Sequence, residues 1–193
     1  HHLRRGFLNQ YQTCENATMK ILDHIDVYAG RAFNVQRVRI QMPDGRQGMY
    51  DLVQHPDSVS IVPLTADGKL LFVRQHRIGA GRDLLEFPAG VMEAGEDPAE
   101  CAARELREET GMAAAVLVKL GQAYLTPGYC TELMHFYFAN QLYPAPLQAD
   151  ADEFLHLEAL PVDEALAIAR RGEIFDSKTL AALFLAQARL AEC

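Results

Sequence analysis

Between His24 and Leu64 the chain offers four runs, HIDVYAG, FNVQRVRIQM, QGMYDLVQH and SVSIVPL, in which β-branched and aromatic residues partly alternate with polar ones. A period of two puts successive side chains on opposite faces, so each run predicts a strand. Pro43, Asp44 and Gly45 supply the turn chemistry of a tight hairpin between the second and third runs, and TADGK at 65–69 repeats the device before LLFVRQHR. The first half therefore predicts a series of antiparallel strands, with residues 1–55 having the make-up of a separate small sheet.

The period changes at Asp97. Asp97 fits an N-cap, Pro98 the first helical position, Glu100 the partner that closes a capping box, and Gly111 the left-handed residue that ends a helix. A helix over about 98–110 follows, with Ala99, Ala102, Ala103 and Leu106 as its apolar stripe. Beyond it the pattern predicts strands near 114–123, 133–143 and 153–159, then helices near 161–172 and 176–190. This succession is that of an α+β layered fold.

Glu105, Glu108 and Glu109 are spaced i, i+3, i+4 and so project from one side of the predicted helix, with Glu96 in the loop before it. Like charges at that spacing repel each other. Converging hard oxygens suit Mg²⁺ or Mn²⁺, and the alternative is an acidic face turned to solvent.

Composition narrows the classes. With 193 residues, 49% of them hydrophobic, the chain can bury one core, or one core and a smaller unit. A net charge of -8 speaks against a nucleic-acid binder, whose affinity rests on neutralising phosphates, and implies that handling a phosphate takes added cations. No run of 18 apolar residues and no signal-peptide order is present, so neither a membrane nor export is expected and the cytoplasm is the expected setting. Cys14, Cys101, Cys130 and Cys193 lack CxxC spacing and read as reduced thiols without a role.

The stretch from Gly90 to Met112 resembles the signature of the Nudix hydrolases, Gx5Ex7REUxEExGU, where U is a bulky aliphatic residue. Gly90, Glu96, Arg104, Glu105, Leu106, Glu108, Glu109, Gly111 and Met112 match it without a departure. The resemblance implies an α/β/α sandwich with a mixed sheet, plus a small N-terminal antiparallel sheet, and hydrolysis of a nucleoside diphosphate linked to another group. It makes Glu105, Glu108, Glu109 and the carbonyl of Ala89 the ligands of Mg²⁺ or Mn²⁺. Glu109 is the foremost catalytic group, Arg104 orients a neighbouring glutamate, and Glu96 belongs to the same network.

Two further stretches are similar to the ADP-ribose pyrophosphatase group of that family: AYLTPGYCTE, with Pro127 sixteen residues after Gly111, and FVRQHRIGAGRDLLEFPAG before the signature. That likeness makes Arg77 a contact of the substrate diphosphate, with Glu86 and Glu132 in the substrate site. It makes Glu153, with Asp152 next, the general base in the acidic loop QADADEFLHL. It also implies a homodimer in which residues 1–55 form the dimerising and pocket-completing element and residues 56–193 the hydrolase domain. The expected reaction is Mg²⁺-dependent cleavage of ADP-ribose to AMP and ribose 5-phosphate. The alternatives are another nucleotide sugar or dinucleotide, such as GDP-mannose, ADP-glucose or NADH, and a non-catalytic sensor of nucleotide sugars.

Overall fold

The computed structural model describes residues 18–148 and 154–191. Three strands come first: β1 (Lys20–Ala29), β2 (Asn34–Gln41) and β3 (Gln47–Gln54), antiparallel in that order. The β2–β3 turn closes as its Pro-Asp-Gly chemistry predicts, with Met42 N–H donating to the Arg46 carbonyl at 2.7 Å and Gly45 N–H to that of Met42 at 2.9 Å. The chain divides into two compact units, one of the described residues up to His55 together with Gly128–Cys130, the other of Pro56–Pro127 and the residues from Thr131 onward. Val53 ties the distant Gly128–Cys130 segment to the first unit by donating its N–H to the Tyr129 carbonyl at 2.7 Å.

In the second unit β4 (Ser58–Pro63), β5 (Lys69–Arg77), β6 (Arg82–Glu86) and β7 (Ala89–Val91) precede α1 (Pro98–Thr110). The chain continues through β8 (Met112–Tyr124), β9 (Leu133–Pro144), β10 (His156–Pro161), α2 (Val162–Arg170) and α3 (Ser177–Leu190). One sheet is mixed, in the order β7-β4-β9-β8, and a second is antiparallel, in the order β10-β5-β6.

The expectation of an all-antiparallel first half does not hold, because β4 runs parallel to β9 and pairs with neither β3 nor β5 as a ladder. Burial explains this: every residue of β4 is buried, which suits an interior strand flanked on both sides rather than one arm of a hairpin. Strands β6 and β7 are also additions to the pattern, five and three residues long, with Gly79, Gly81 and Pro88 interrupting any period around them.

Alternation along the interior strands builds two cores. Val62 of β4 and Met134, Phe136 and Phe138 of β9 pack with Phe72, Phe87 and the α3 residues Ala182, Leu183 and Ala186. Val59 and Ile61, with Tyr137 and Ala139, pack with Cys101, Ala102 and Leu106 of α1. Odd and even positions of the same strands thus serve different helices, giving the α/β/α layering. Each such fully buried large side chain is worth about 1.5–3 kcal/mol of transfer free energy, and the rings of Phe72 and Phe87 add a stack at 4.4 Å between centroids. The stripe of α1 differs from expectation in one position: Ala103 is exposed and Cys101 is buried in its place. Among the described residues no helix is long and apolar enough to cross a membrane.

Candidate active site

Helix α1 starts and stops where its local chemistry dictates. Asp97 is extended (φ -72°, ψ 134°), and its side chain accepts the Ala99 N–H at 2.8 Å. The reciprocal bond from Glu100 is absent among the described residues. Instead Glu96, one residue before the cap, accepts the Glu93 N–H at 2.8 Å and folds the preceding loop back on itself. Gly111, at φ 71°, closes the helix by donating to the Arg107 carbonyl, a conformation that side chains with a Cβ rarely adopt.

Arg104 organises the carboxylates at the helix. Its Nε and Nη2 donate to the two oxygens of Glu96 at 2.9 and 3.0 Å, and its Nη1 donates to Glu105 at 2.6 Å and to Glu108 at 2.9 Å. Nη2 also reaches the Val91 carbonyl at 3.3 Å. One planar guanidinium therefore fixes three glutamates, which a lysine's single ammonium could not do in this fork geometry. The Arg104 hydrogen bonds hold the Glu96 carboxyl down at about 2, and the same carboxylates raise the guanidinium's own pKa.

Helix α1 comes close to the sheet edge at β7. A Cβ on Gly90 would stand 2.0 Å from the carboxyl carbon of Glu105, so this position admits only glycine while Glu105, itself 7% exposed, stays where it is. One residue earlier, Ala89 N–H donates to Glu109 at 3.1 Å. The signature glycine thus lets the helix carboxylates lie against the β7 backbone.

The donor set fits a hard divalent cation: carboxylate oxygens of Glu105 and Glu109 lie against Gly90 and Ala89, and Arg104 holds Glu108 together with Glu105 on the same helix. Arg104 engages Glu105 and Glu108 while the Ala89 amide engages Glu109. Accordingly, no three His, Cys, Asp or Glu side chains among the described residues stand already gathered on one point.

Arg77, at the end of β5, and Glu86, at the end of β6, meet across the strand pair. Nε and Nη2 of Arg77 clasp Oε1 and Oε2 of Glu86 at 2.8 and 2.6 Å. Glu86 is 1% exposed, whereas the Arg77 side chain is 40% exposed. Burial by itself pushes the Glu86 carboxyl up, but the Arg77 hydrogen bonds and the Lys178 charge outweigh it and hold it below the usual carboxylate range. Arg77 is raised by its bond to Glu86 and lies in the fields of Asp176 and Glu109, which links this pair electrically to α1.

Of the other expected residues, Glu132 stands just before β9, where its Oε1 accepts the Ser58 hydroxyl at 2.7 Å. Glu153 and Asp152 lie outside the described residues. Sequence reasoning did not single out Lys178, Asp176 and Thr179, which surround Glu86 and Phe87; the FDSKT stretch was the available signal. A cavity of about 370 Å³ on another flank of α1 is lined by Leu106, Ala114, Leu117 and Tyr143 with Arg107, and it holds none of these carboxylates.

Comparison with known proteins identifies the family and the fold. The NUDIX domain model matches residues 54–183. An ADP-ribose pyrophosphatase of Bacillus subtilis is 32% identical over 81% of this chain and 86% of its own length. A GDP-mannose pyrophosphatase of Yersinia enterocolitica is 35% identical over 63% of this chain and 68% of its own. The crystal structure of an ADP compounds hydrolase superposes with a TM-score of 0.82 at 28% identity, covering 92% of this chain and 97% of that one. With the signature intact on a loop and helix of matching fold, the chain belongs to the Nudix family and is a pyrophosphohydrolase of the ADP-ribose pyrophosphatase-like kind.

Proposed function

We propose that this chain hydrolyses the diphosphate bond of ADP-ribose, releasing AMP and ribose 5-phosphate, with Mg²⁺ as cofactor and Mn²⁺ as its substitute. The observation that carries the reading is Arg77, anchored by buried Glu86 and within the electrostatic reach of Glu109 on α1. A cation suited to a diphosphate thus lies in the field of one of the carboxylates suited to a metal.

In this reading Glu105, Glu108, Glu109 and the Ala89 carbonyl hold the metal. The metal, when bound, polarises the phosphate oxygens and lowers the pKa of water beside them. Arg104 keeps Glu105 and Glu108 oriented, Arg77 binds the diphosphate, Glu86 fixes Arg77, and Glu132 lines the substrate pocket. Glu153 is assigned the proton of the attacking water, from its place in the acidic loop of the sequence. The cytoplasm is the proposed setting, supported by Cys101 and Cys130 being free thiols.

A homodimer joined through the N-terminal sheet is part of the proposal. Ten-residue β1 is an edge strand, and Ile21, Ile25 and Val27 on it are each more than half exposed. A long apolar edge of that kind is ordinarily covered. A second substrate reading, GDP-mannose, is favoured by the Yersinia relative.

The test is a panel of ADP-ribose, ADP-glucose, GDP-mannose and NADH incubated with Mg²⁺ or with EDTA, products being identified by mass. AMP from ADP-ribose, abolished by EDTA, is expected. Preferential release of GMP from GDP-mannose would replace the substrate while keeping the chemistry, and no cleavage of any member would refute the proposal. Light scattering on the purified chain reads the dimer, and a monomer at micromolar concentration would remove that part.

A further inference from the structure

Lys178, in the first turn of α3, is buried, and its Nζ bonds both Glu86 Oε2 and, at 3.0 Å, the N-cap carboxylate of Asp176. Asp176 also accepts the Thr179 N–H at 2.9 Å and the Thr179 hydroxyl at 2.6 Å, and Thr179 Oγ1 in turn accepts the Phe87 N–H at 2.9 Å. The first turn of α3 is therefore a bracket that grips the Glu86–Phe87 backbone and carboxylate from one side. Arg77 holds the same carboxylate, with Nε on Oε1 and Nη2 on the Oε2 that Lys178 also bonds.

Stability is a poor explanation for this arrangement. Taking an ammonium and a carboxylate out of water forfeits hydration that their attraction must first return, and an apolar pair of equal volume commonly does as well or better. What the ionic form adds is direction. A carboxylate pinned at Oε2 by an ammonium on a rigid helix start has one orientation, and the planar fork of Arg77 has to match it. Arg77 alone in this chain of charges is substantially open to solvent, so its direction is what the buried part of the chain controls.

We infer that Lys178 is a positioning residue for substrate binding, acting through Glu86 to hold the Arg77 guanidinium in the orientation that receives the diphosphate. The inference deepens the proposed function and rests on its assignment of Arg77. Lys178 touches no substrate and takes no part in bond breaking. Its removal shows in the Michaelis constant rather than in turnover, and only while Arg77 is present.

The experiment is a double-mutant cycle on the full chain, with Lys178→Met, Arg77→Ala and the two together, plus Lys178→Arg as the conservative rescue. Steady-state kinetics are read on ADP-ribose at saturating Mg²⁺, or on GDP-mannose should the wild type cleave that instead. Lys178→Met is expected to raise KM about tenfold, the loss of roughly one charge-assisted hydrogen bond, with kcat changed less than about threefold. Lys178→Arg restores most of the loss, and in the Arg77→Ala background Lys178→Met adds nothing further. Unchanged KM in Lys178→Met beside a large effect of Arg77→Ala overturns the inference alone, and equal losses in both backgrounds overturn it in favour of a purely structural lysine. Unchanged kinetics in Arg77→Ala overturn the assignment of Arg77, and the inference with it. Should Lys178→Met fold poorly, Asp176→Asn, which loosens the same ammonium, is expected to raise KM in the same Arg77-dependent way, and a normal KM there counts as refutation.

Discussion

Substituting Gly90 by alanine separates fold from chemistry at the site. The new Cβ would lie 2.0 Å from both the carboxyl carbon and Oε1 of Glu105, so the carboxylate must retreat by roughly 1.4 Å to reach ordinary van der Waals contact. The backbone does not resist, because Gly90 is not among the positive-φ glycines and alanine fits its conformation. The retreat breaks the 2.6 Å bond from Arg104, a charge-assisted contact worth about 1.5–3 kcal/mol. Against this, alanine narrows the unfolded ensemble and returns about 0.4–1 kcal/mol. The net loss is on the order of 1–2 kcal/mol, or a Tm lower by about 2–8 °C for a chain of this size. If Glu105 holds the metal as proposed, activity should suffer far more, since a displacement of about 1 Å at a catalytic group costs on the order of 100-fold. Thermal melts and AMP release from ADP-ribose under Mg²⁺ read the two effects on one sample. Activity within threefold of wild type would refute the role given to the Gly90–Glu105 approach, and a Tm loss above about 10 °C would make Gly90 a folding position instead.

Glu109→Gln keeps the size of the side chain and its acceptor for Ala89 N–H, so the melt should be unchanged while metal-dependent turnover falls by orders of magnitude; near-normal turnover would remove Glu109 from the ligand set. The wild type should also gain Tm on addition of millimolar Mg²⁺ through linkage, and Glu109→Gln should gain less. Arg104 holds Glu96 at about 2 against an ordinary 4.5, so its stabilisation is complete above pH 4.5 and is lost as pH falls toward 2. Acid melts of Glu96→Gln should therefore be flatter than wild type across that window, and parallel curves would contradict the pairing. Burial pushes the Cys101 thiol up to about 12, so iodoacetamide at about pH 8 should leave it unlabelled in the native chain and label it after denaturation, as peptide mass mapping would show.

How much the sequence revealed follows the range of the forces involved. Helix α1 was legible almost to the residue because Asp97, Pro98 and Gly111 act within one turn of where they sit, and a local capping rule needs no knowledge of the fold. The i, i+3, i+4 spacing of Glu105, Glu108 and Glu109 likewise fixes a shared side of the helix from geometry alone. Where local chemistry offered two partners, the outcome was harder to read: Glu100 was expected to close the cap, yet Glu96 makes the loop's carboxylate bond.

The tertiary structure alone decided which strands meet. The pairing of β4 with β9 joins segments 76 residues apart, and period-two alternation carries no information about a strand's partner or direction. The same limit hid the surroundings of Glu86, where Arg77 comes from nine residues away and Lys178 from 92. It also hid the approach of Gly90 to Glu105, which exists because α1 packs against the edge of the sheet at β7. The sequence by itself determined which groups are charged and which side of a helix carries them; packing in three dimensions decided which opposite charge each one faces.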